Sequence, residues 1–161
     1  MIKGIKFGVV GVGHLGTFHV QQIQKIKNAH LVGLFDLNFN LCENAAKKYK
    51  VLAFKNIKDL FKSCDAISVV TPTPSHYKIA SSAIESGCHV FVEKPITHKI
   101  SDAKKLISLA ELHNVKLQVG HIERFNPTYT TFCQNITKPL FIESHRLSPF
   151  NIRGSDVAVV L

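Results

Sequence analysis

Residues Phe7–Gly16 read F-G-V-V-G-V-G-H-L-G, an apolar run followed at once by glycines spaced G-x-G-x-x-G. The run reaches back to Ile5, and Ile5-Lys6-Phe7-Gly8-Val9-Val10 has the composition of a buried parallel strand. Beyond Gly16, residues 17–26 fit a helix. A second apolar run, Leu31 to Phe35, follows and closes on Asp36, twenty residues after Gly16. Strand, glycine turn, helix, strand and acidic residue thus follow one another in a fixed order.

That order is the fingerprint of a dinucleotide-binding βαβ unit, and each residue has a physical task in it. Gly11 permits the sharp turn off the strand, where a side chain would be strained. Gly13 lets the backbone approach a pyrophosphate, with His14 and Leu15 beside it as expected cofactor contacts, and the following helix offers free N–H groups and a positive dipole end. Gly16 lets this helix pack closely on the sheet. Asp36 accepts hydrogen bonds from the hydroxyls of an adenosine ribose and repels a 2′-phosphate. Neither Leu37 nor Asn38 supplies a cation to offset that repulsion. The expected cofactor is therefore NAD rather than NADP.

Composition narrows the class. A chain of 161 residues, 45% of them hydrophobic, has room for one domain of ordinary size with a real core. Met1-Ile2-Lys3-Gly4 runs straight into the first strand, which leaves no space for a signal peptide. No apolar run approaches the ~18 residues of a membrane span. The four cysteines, Cys42, Cys64, Cys88 and Cys133, are widely spaced without a C-x-x-C, which suits reduced thiols of a cytoplasmic protein. The net charge of +9 raises the question of nucleic acid, but only three of the twenty cations are arginines and the lysines are scattered. A lysine-rich solvated surface is the better reading, and it also suits a polyanionic substrate such as a sugar nucleotide. None of the nine histidines forms H-x-x-x-H or pairs with cysteine at ligand spacing, so no metal is expected.

Further along, strand and helix signals alternate. Strands are expected at 51–54, 66–70, 89–92 and 115–119. Helices are expected at 57–61, at 75–86 with Pro74 at the entry and Gly87 at the close, and behind an N-capping Ser101, where Ala103, Leu106, Ile107 and Ala110 share a face. Repeated β-α-β implies an α/β, doubly wound parallel sheet with helices on both faces. Ligands of such sheets sit at the carboxyl ends of the strands. Gly11–Gly16, Asp36, Thr71–His76, Glu93–Pro95 and Gly120-His121 all belong to that edge. After Val119 the character changes: a polar, aromatic segment leads to an expected helix over 128–134 and an alternating strand over 140–147. The chain stops on Val157-Ala158-Val159-Val160-Leu161, as if within a second domain. The expected organisation is a cofactor domain at 1–122 and an incomplete start of a substrate domain at 123–161. An unpaired strand edge there makes homo-oligomers the expected state.

Gly11-Val12-Gly13-His14-Leu15-Gly16, Thr71-Pro72-Thr73-Pro74-Ser75-His76, Glu93-Lys94-Pro95 and Gly120-His121-Ile122-Glu123-Arg124-Phe125-Asn126-Pro127 together resemble the Gfo/Idh/MocA oxidoreductases. The resemblance runs through essentially the whole chain. It implies a Rossmann sheet followed by an α+β domain, here only begun, and hydride transfer between a sugar C–H and nicotinamide. Lys94 falls on the family's motif lysine, beside the nicotinamide ribose and the reacting hydroxyl, and is the expected catalytic residue. Glu93 would orient Lys94 or hold a ribose hydroxyl, and Pro95 would fix the turn. Thr71, Pro72, Thr73 and His76 are implied on the cofactor edge. His121 and Arg124 are implied on the substrate side, where an arginine fork suits a diphosphate. The Arg124–Pro127 stretch, with Glu143-Ser144-His145-Arg146, looks most like the branch that oxidises UDP-linked amino sugars such as UDP-N-acetylglucosamine. The competing expectation is a non-catalytic NAD-binding sensor or regulatory module. Neither reading involves nucleic acid or a membrane.

Overall fold

The computed structural model describes residues 4–143, His145 and Leu147, and the chain divides after Gly120 into two compact units. The first unit holds six strands: β1 Ile5–Val10, β2 Ala29–Phe35, β3 Leu52–Ala53, β4 Ala66–Val69, β5 His89–Val92 and β6 Leu117–Val119. They form one sheet in the order β3-β2-β1-β4-β5-β6, and every neighbouring pair is parallel. The order reverses between β1 and β4. At that reversal the chain leaves the two central strands in opposite directions and opens a crevice at their carboxyl ends.

Helices α1 His14–Ile23, α2 Phe39–Tyr49, α3 Ile57–Ser63, α4 His76–Glu85 and α5 Ile100–Leu112 alternate with these strands. Successive strand side chains leave on opposite faces, so each buried strand feeds two cores. Val9 joins Leu31, Leu34, Val20 and Ile23 in the core of α1 and α2. Val10 joins Ile67, Val69, Val90 and Val92 in the core of α3, α4 and α5, with Phe61, Ile84 and Leu106. The same alternation turns Ser68 and Phe91 away from that second core. The lysine pairs lie on exposed helix faces, where Lys47 meets Glu43 at 3.1 Å and Lys105 meets Asp102 at 3.6 Å.

Several boundaries differ from those read off the sequence, each for a local reason. Helix α1 begins at His14 rather than Thr17, because the Gly13 carbonyl already accepts the Thr17 N–H at 3.0 Å. Ser101 lies inside α5 and is not its cap. Lys99 is the cap, in extended conformation, and its carbonyl accepts the Asp102 and Ala103 N–H groups. Pro74 sits in a 3₁₀ turn, Thr73–Ser75, and the α-helix starts only at His76. The edge strands are shorter than their apolar runs, since pairing reaches only Leu52–Ala53 and Leu117–Val119.

In the second unit a 3₁₀ turn, Ile122–Phe125, precedes α6 Pro127–Asn135, whose cap Asn126 accepts the Thr128 N–H. Neither element contains a buried residue. The strand expected over 140–147 is absent from its described residues. A strand needs a neighbour to satisfy its N–H and C=O groups, and no described residue provides one. Ser144, Arg146 and the apolar run Val157–Leu161 lie outside the described residues. No helix among the described residues is long and apolar enough to cross a membrane.

Candidate functional site

The glycine turn after β1 is shaped by two different constraints. At Gly11 the backbone has φ +92°, and a Cβ there would lie 2.4 Å from the Val70 carbonyl oxygen. At Gly16 a Cβ would lie 1.9 Å from the Gly11 carbonyl oxygen. The fold itself therefore demands both glycines. Gly13 is different, because its φ of −65° suits any residue and a Cβ would meet nothing within 4 Å. No neighbour among the described residues requires a glycine there. The missing side chain leaves open space in front of α1, whose N-terminus carries no side-chain cap. Gly13, His14 and Leu15 are all exposed at this helix end, which presents unpaired N–H donors and a positive dipole end to an anion.

Asp36, directly after β2, is locked to this turn. Its Oδ2 accepts the Val12 N–H at 2.9 Å and its Oδ1 accepts the Asn38 N–H at 2.9 Å. Each carboxylate oxygen keeps a further lone pair, so the half-buried group remains able to accept hydroxyls from a diol. Open space at Gly13, an uncapped helix start and a fixed carboxylate form a donor and acceptor set that fits the pyrophosphate and ribose of a dinucleotide.

Two further loops complete the carboxyl edge of the sheet. After β4, the Ser75 hydroxyl donates to the Pro72 carbonyl at 2.7 Å and lies 2.7 Å from Thr71 Oγ1. Thr71 is half-buried, Pro72 exposed and Thr73 buried. After β5 comes Glu93-Lys94-Pro95, with a cis Lys94–Pro95 peptide. Lys94 is exposed, and among the described residues its ammonium has no ion-pair partner. It is a free cation at the sheet edge, not half of a structural salt bridge.

His76 was expected to face the cofactor, and instead it is 1% exposed. Its Nε2 lies 2.7 Å from the Thr71 carbonyl oxygen and its Nδ1 2.9 Å from that of Pro95. It joins the loop after β4 to the turn after β5. Glu93 is likewise held from inside. Its Oε1 is 3.0 Å from His19 Nε2, and its Oε2 accepts the Lys94 N–H at 3.2 Å. The His19 hydrogen bond outweighs burial and holds the Glu93 carboxyl below the usual glutamate range. His121 precedes the 3₁₀ turn of the second unit and Arg124 lies within it, both exposed.

His19 and Ser68 escaped the sequence reading. A signal existed: Gly16, Val20 and Ile23 form the buried stripe of α1, and His19 falls beside them at helical spacing. A histidine on an apolar stripe needs polar partners, and Ser68 inside the apolar run of β4 is one of them. Pairing the two from sequence requires the sheet order, which no local pattern gives. The cysteines are free, and burial pushes Cys64 up to about 12 and Cys88 up to about 11. Burial thus favours the protonated thiol at both.

Comparison with known proteins agrees with this geometry. Residues 5–121 match the Gfo/Idh/MocA model, described as an oxidoreductase family with an NAD-binding Rossmann fold. The UDP-N-acetylglucosamine 3-dehydrogenase of Acidithiobacillus ferrooxidans is 36% identical over 158 residues, covering 98% of this chain and 50% of the relative. Its solved structure superposes with a TM-score of 0.78 at 37% identity, over 83% of this chain and 43% of that one. The scyllo-inositol 2-dehydrogenase (NAD(+)) of Bacillus subtilis is 30% identical over 131 residues, covering 78% of this chain and 38% of the relative. A scyllo-inositol dehydrogenase from Lactobacillus casei, solved with NAD(H) and scyllo-inositol, gives a TM-score of 0.76 at 33% identity, over 82% of this chain and 40% of that one. The chain thus spans half or less of the length of these relatives.

Proposed function

Because this chain belongs to the Gfo/Idh/MocA oxidoreductases with an NAD-binding Rossmann fold, we propose that it serves an NAD-dependent dehydrogenase acting on a sugar hydroxyl carbon. The single observation that carries this reading is the free space at Gly13, beside a carboxylate already fixed at Asp36. In this reading the Gly13, His14 and Leu15 segment holds the pyrophosphate. Asp36 holds the adenosine ribose and selects NAD over NADP, since a 2′-phosphate would meet its negative charge. Thr71, Pro72 and Thr73 line the path toward the nicotinamide end. Residues 1–122 are assigned to the cofactor domain and 123–161 to the beginning of a substrate domain.

A bound nicotinamide supplies the hydride acceptor. The chain's own part is to bind, orient and move a proton. Lys94 Nζ, as the neutral amine, would take the proton of the sugar hydroxyl as the carbon loses its hydride. The positive charge of an oxidised nicotinamide beside it would favour that neutral form, and among the described residues no carboxylate pairs with it. Glu93 fixes the main chain at Lys94 through its bond to the Lys94 N–H. His121 and Arg124 are assigned to substrate binding, with Arg124 placed on a phosphate or diphosphate group. A sugar nucleotide is the preferred substrate class: it suits the net charge of +9, and UDP-N-acetylglucosamine is the sugar named for the 36% identical relative. Free cysteines suit the reducing cytoplasm.

The test is NADH formation at 340 nm with UDP-N-acetylglucosamine, glucose 6-phosphate and scyllo-inositol as separate substrates. Turnover with the sugar nucleotide, lost in Lys94→Ala at nearly unchanged NAD affinity, supports the reading. The 161-residue chain alone is expected to bind NAD with little or no turnover, so the comparison is made on the protein as produced from its gene. There, NAD binding without turnover on any of the three favours a sensor or regulatory module instead.

A further inference from the structure

Three elements meet around His19, which reaches Glu93 from inside the protein. His19 on α1 touches it with Nε2 at 3.0 Å, and the opposite ring nitrogen, Nδ1, lies 2.8 Å from Ser68 Oγ on β4. The ring also stands edge-on to Phe91 on β5, with centroids 5.5 Å apart. Behind the carboxylate, a Cβ at Gly120 would come within 2.8 Å of Glu93 Oε1. The carboxylate is thus boxed by a histidine, a main-chain amide and a glycine. An ionised carboxylate only accepts, so a singly protonated His19 carries its proton on Nε2 and accepts a hydrogen bond from the Ser68 hydroxyl at Nδ1. The polar chain Ser68–His19–Glu93 is complete and fixes the ring orientation.

At the other end of the same turn, His76 holds the Pro95 carbonyl and ties it to Thr71. Lys94 is flanked by these two anchors, and its own side chain is exposed and unpaired. Among the described residues no hydrogen bond or ion pair holds the Lys94 side chain. Its position is set by the main chain on either side of it.

We propose that His19 is a positioning residue for the reaction assigned above: through Glu93 it fixes the turn that aims Lys94, while His76 fixes the far end of that turn. The proposal rests on the oxidoreductase reading. It assigns His19 no contact with sugar or dinucleotide. Displacing a reacting group by about 1 Å costs up to about a hundredfold in rate, so loss of this brace is expected in kcat, with dinucleotide binding spared.

The experiment compares His19→Ala, His19→Gln and Gly120→Ala with the unaltered protein as produced from its gene. NADH formation is measured across substrate and NAD concentrations, and the Glu93 carboxyl is titrated by carbon NMR. Expected is a kcat reduced about 10- to 100-fold in His19→Ala, with KM for NAD changed less than about threefold. His19→Gln keeps an N–H for Glu93 and should recover about tenfold of that loss. Gly120→Ala leaves no cavity, yet its methyl displaces the carboxylate, and it should lower kcat in the same selective way. The Glu93 titration, faced by His19 and the Lys94 ammonium, should move up in His19→Ala and return toward its original position in His19→Gln. Unchanged kcat in His19→Ala, or equal losses in His19→Ala and His19→Gln with an unmoved Glu93 titration, overturns the brace. Absence of NADH formation in the unaltered protein overturns the oxidoreductase reading itself, and the two failures are thereby distinct.

Discussion

In the proposed reading, Asp36 concentrates the cofactor choice in one side chain. Both its oxygens are already fixed by main-chain amides, so it meets a ribose without first being ordered. Replacing it by alanine removes charge-assisted hydrogen bonds and should cost ~1.5–3 kcal/mol of NAD affinity. The same change should narrow the gap to NADP, and titration calorimetry with both dinucleotides reads this directly. Tighter NADP binding by the unaltered chain would sink the assignment. The three glycines separate binding from folding. Gly13→Ala has room for its methyl in the protein, so the melting temperature should hold while NAD affinity falls. Gly16→Ala meets the Gly11 carbonyl and should compromise the fold itself. Glu93 adds a pH dependence of known sign. Its folded-state pKa is lowered, so its contribution to stability is full above the usual glutamate range. That contribution is lost as pH falls through the lowered folded value. Urea midpoints measured against pH should therefore show the advantage over Glu93→Gln shrinking on acidification.

At the scale of single elements, caps and edges decide where helices and strands begin. Helix α2 starts where the Asn38 side chain accepts the Leu41 N–H at 3.2 Å. Asn38→Ala should destabilise the protein by ~1 kcal/mol, seen as a lower urea midpoint with unchanged slope. Unaltered stability would place the cap's role elsewhere. The helices and strands of the sheet unit were legible because apolar periodicity is a local property. β5 was read to the residue, and the switch from period 2 to period 3.6 located most of the others, but helix α2 was not among the expected elements. Boundaries were less legible for the same reason: Ser101 has the composition of a cap, yet the chain enters α5 two residues earlier, around the Lys99 carbonyl. The alternating run over 140–147 illustrates the opposite case. Alternation marks a sequence that suits a strand, but a strand exists only where a neighbour completes its hydrogen bonds.

At the scale of the whole molecule, the buried residues among those described belong to the unit Met1–Gly120. The second unit's described elements bury none. Amide exchange should accordingly be slow in β1, β4 and β5, and fast across residues 122–135. Comparable protection in the two units would contradict this division. A core substitution such as Ile67→Ala, at a fully buried position between the central strands, should cost ~2–5 kcal/mol and lower the unfolding transition of the sheet unit.

Sequence alone determined the parallel βαβ architecture, the glycine turn, the acidic residue after β2 and the family resemblance carried by Glu93-Lys94-Pro95. All of these reside in short stretches whose spacing is itself the signal. It also named Lys94, since a motif lysine needs no tertiary information to be noticed. Only the tertiary structure decided what stands behind that lysine. His19, Ser68 and Glu93 are 49 and 74 residues apart along the chain, measured from His19, and meet because β1, β4 and β5 are neighbours in the sheet. Likewise His76, which the motif placed at the cofactor edge, turns inward to bridge two main-chain carbonyls. Whether a polar side chain faces a ligand or holds up a loop depends on which strands lie side by side, and strand order is settled by packing of the whole sheet.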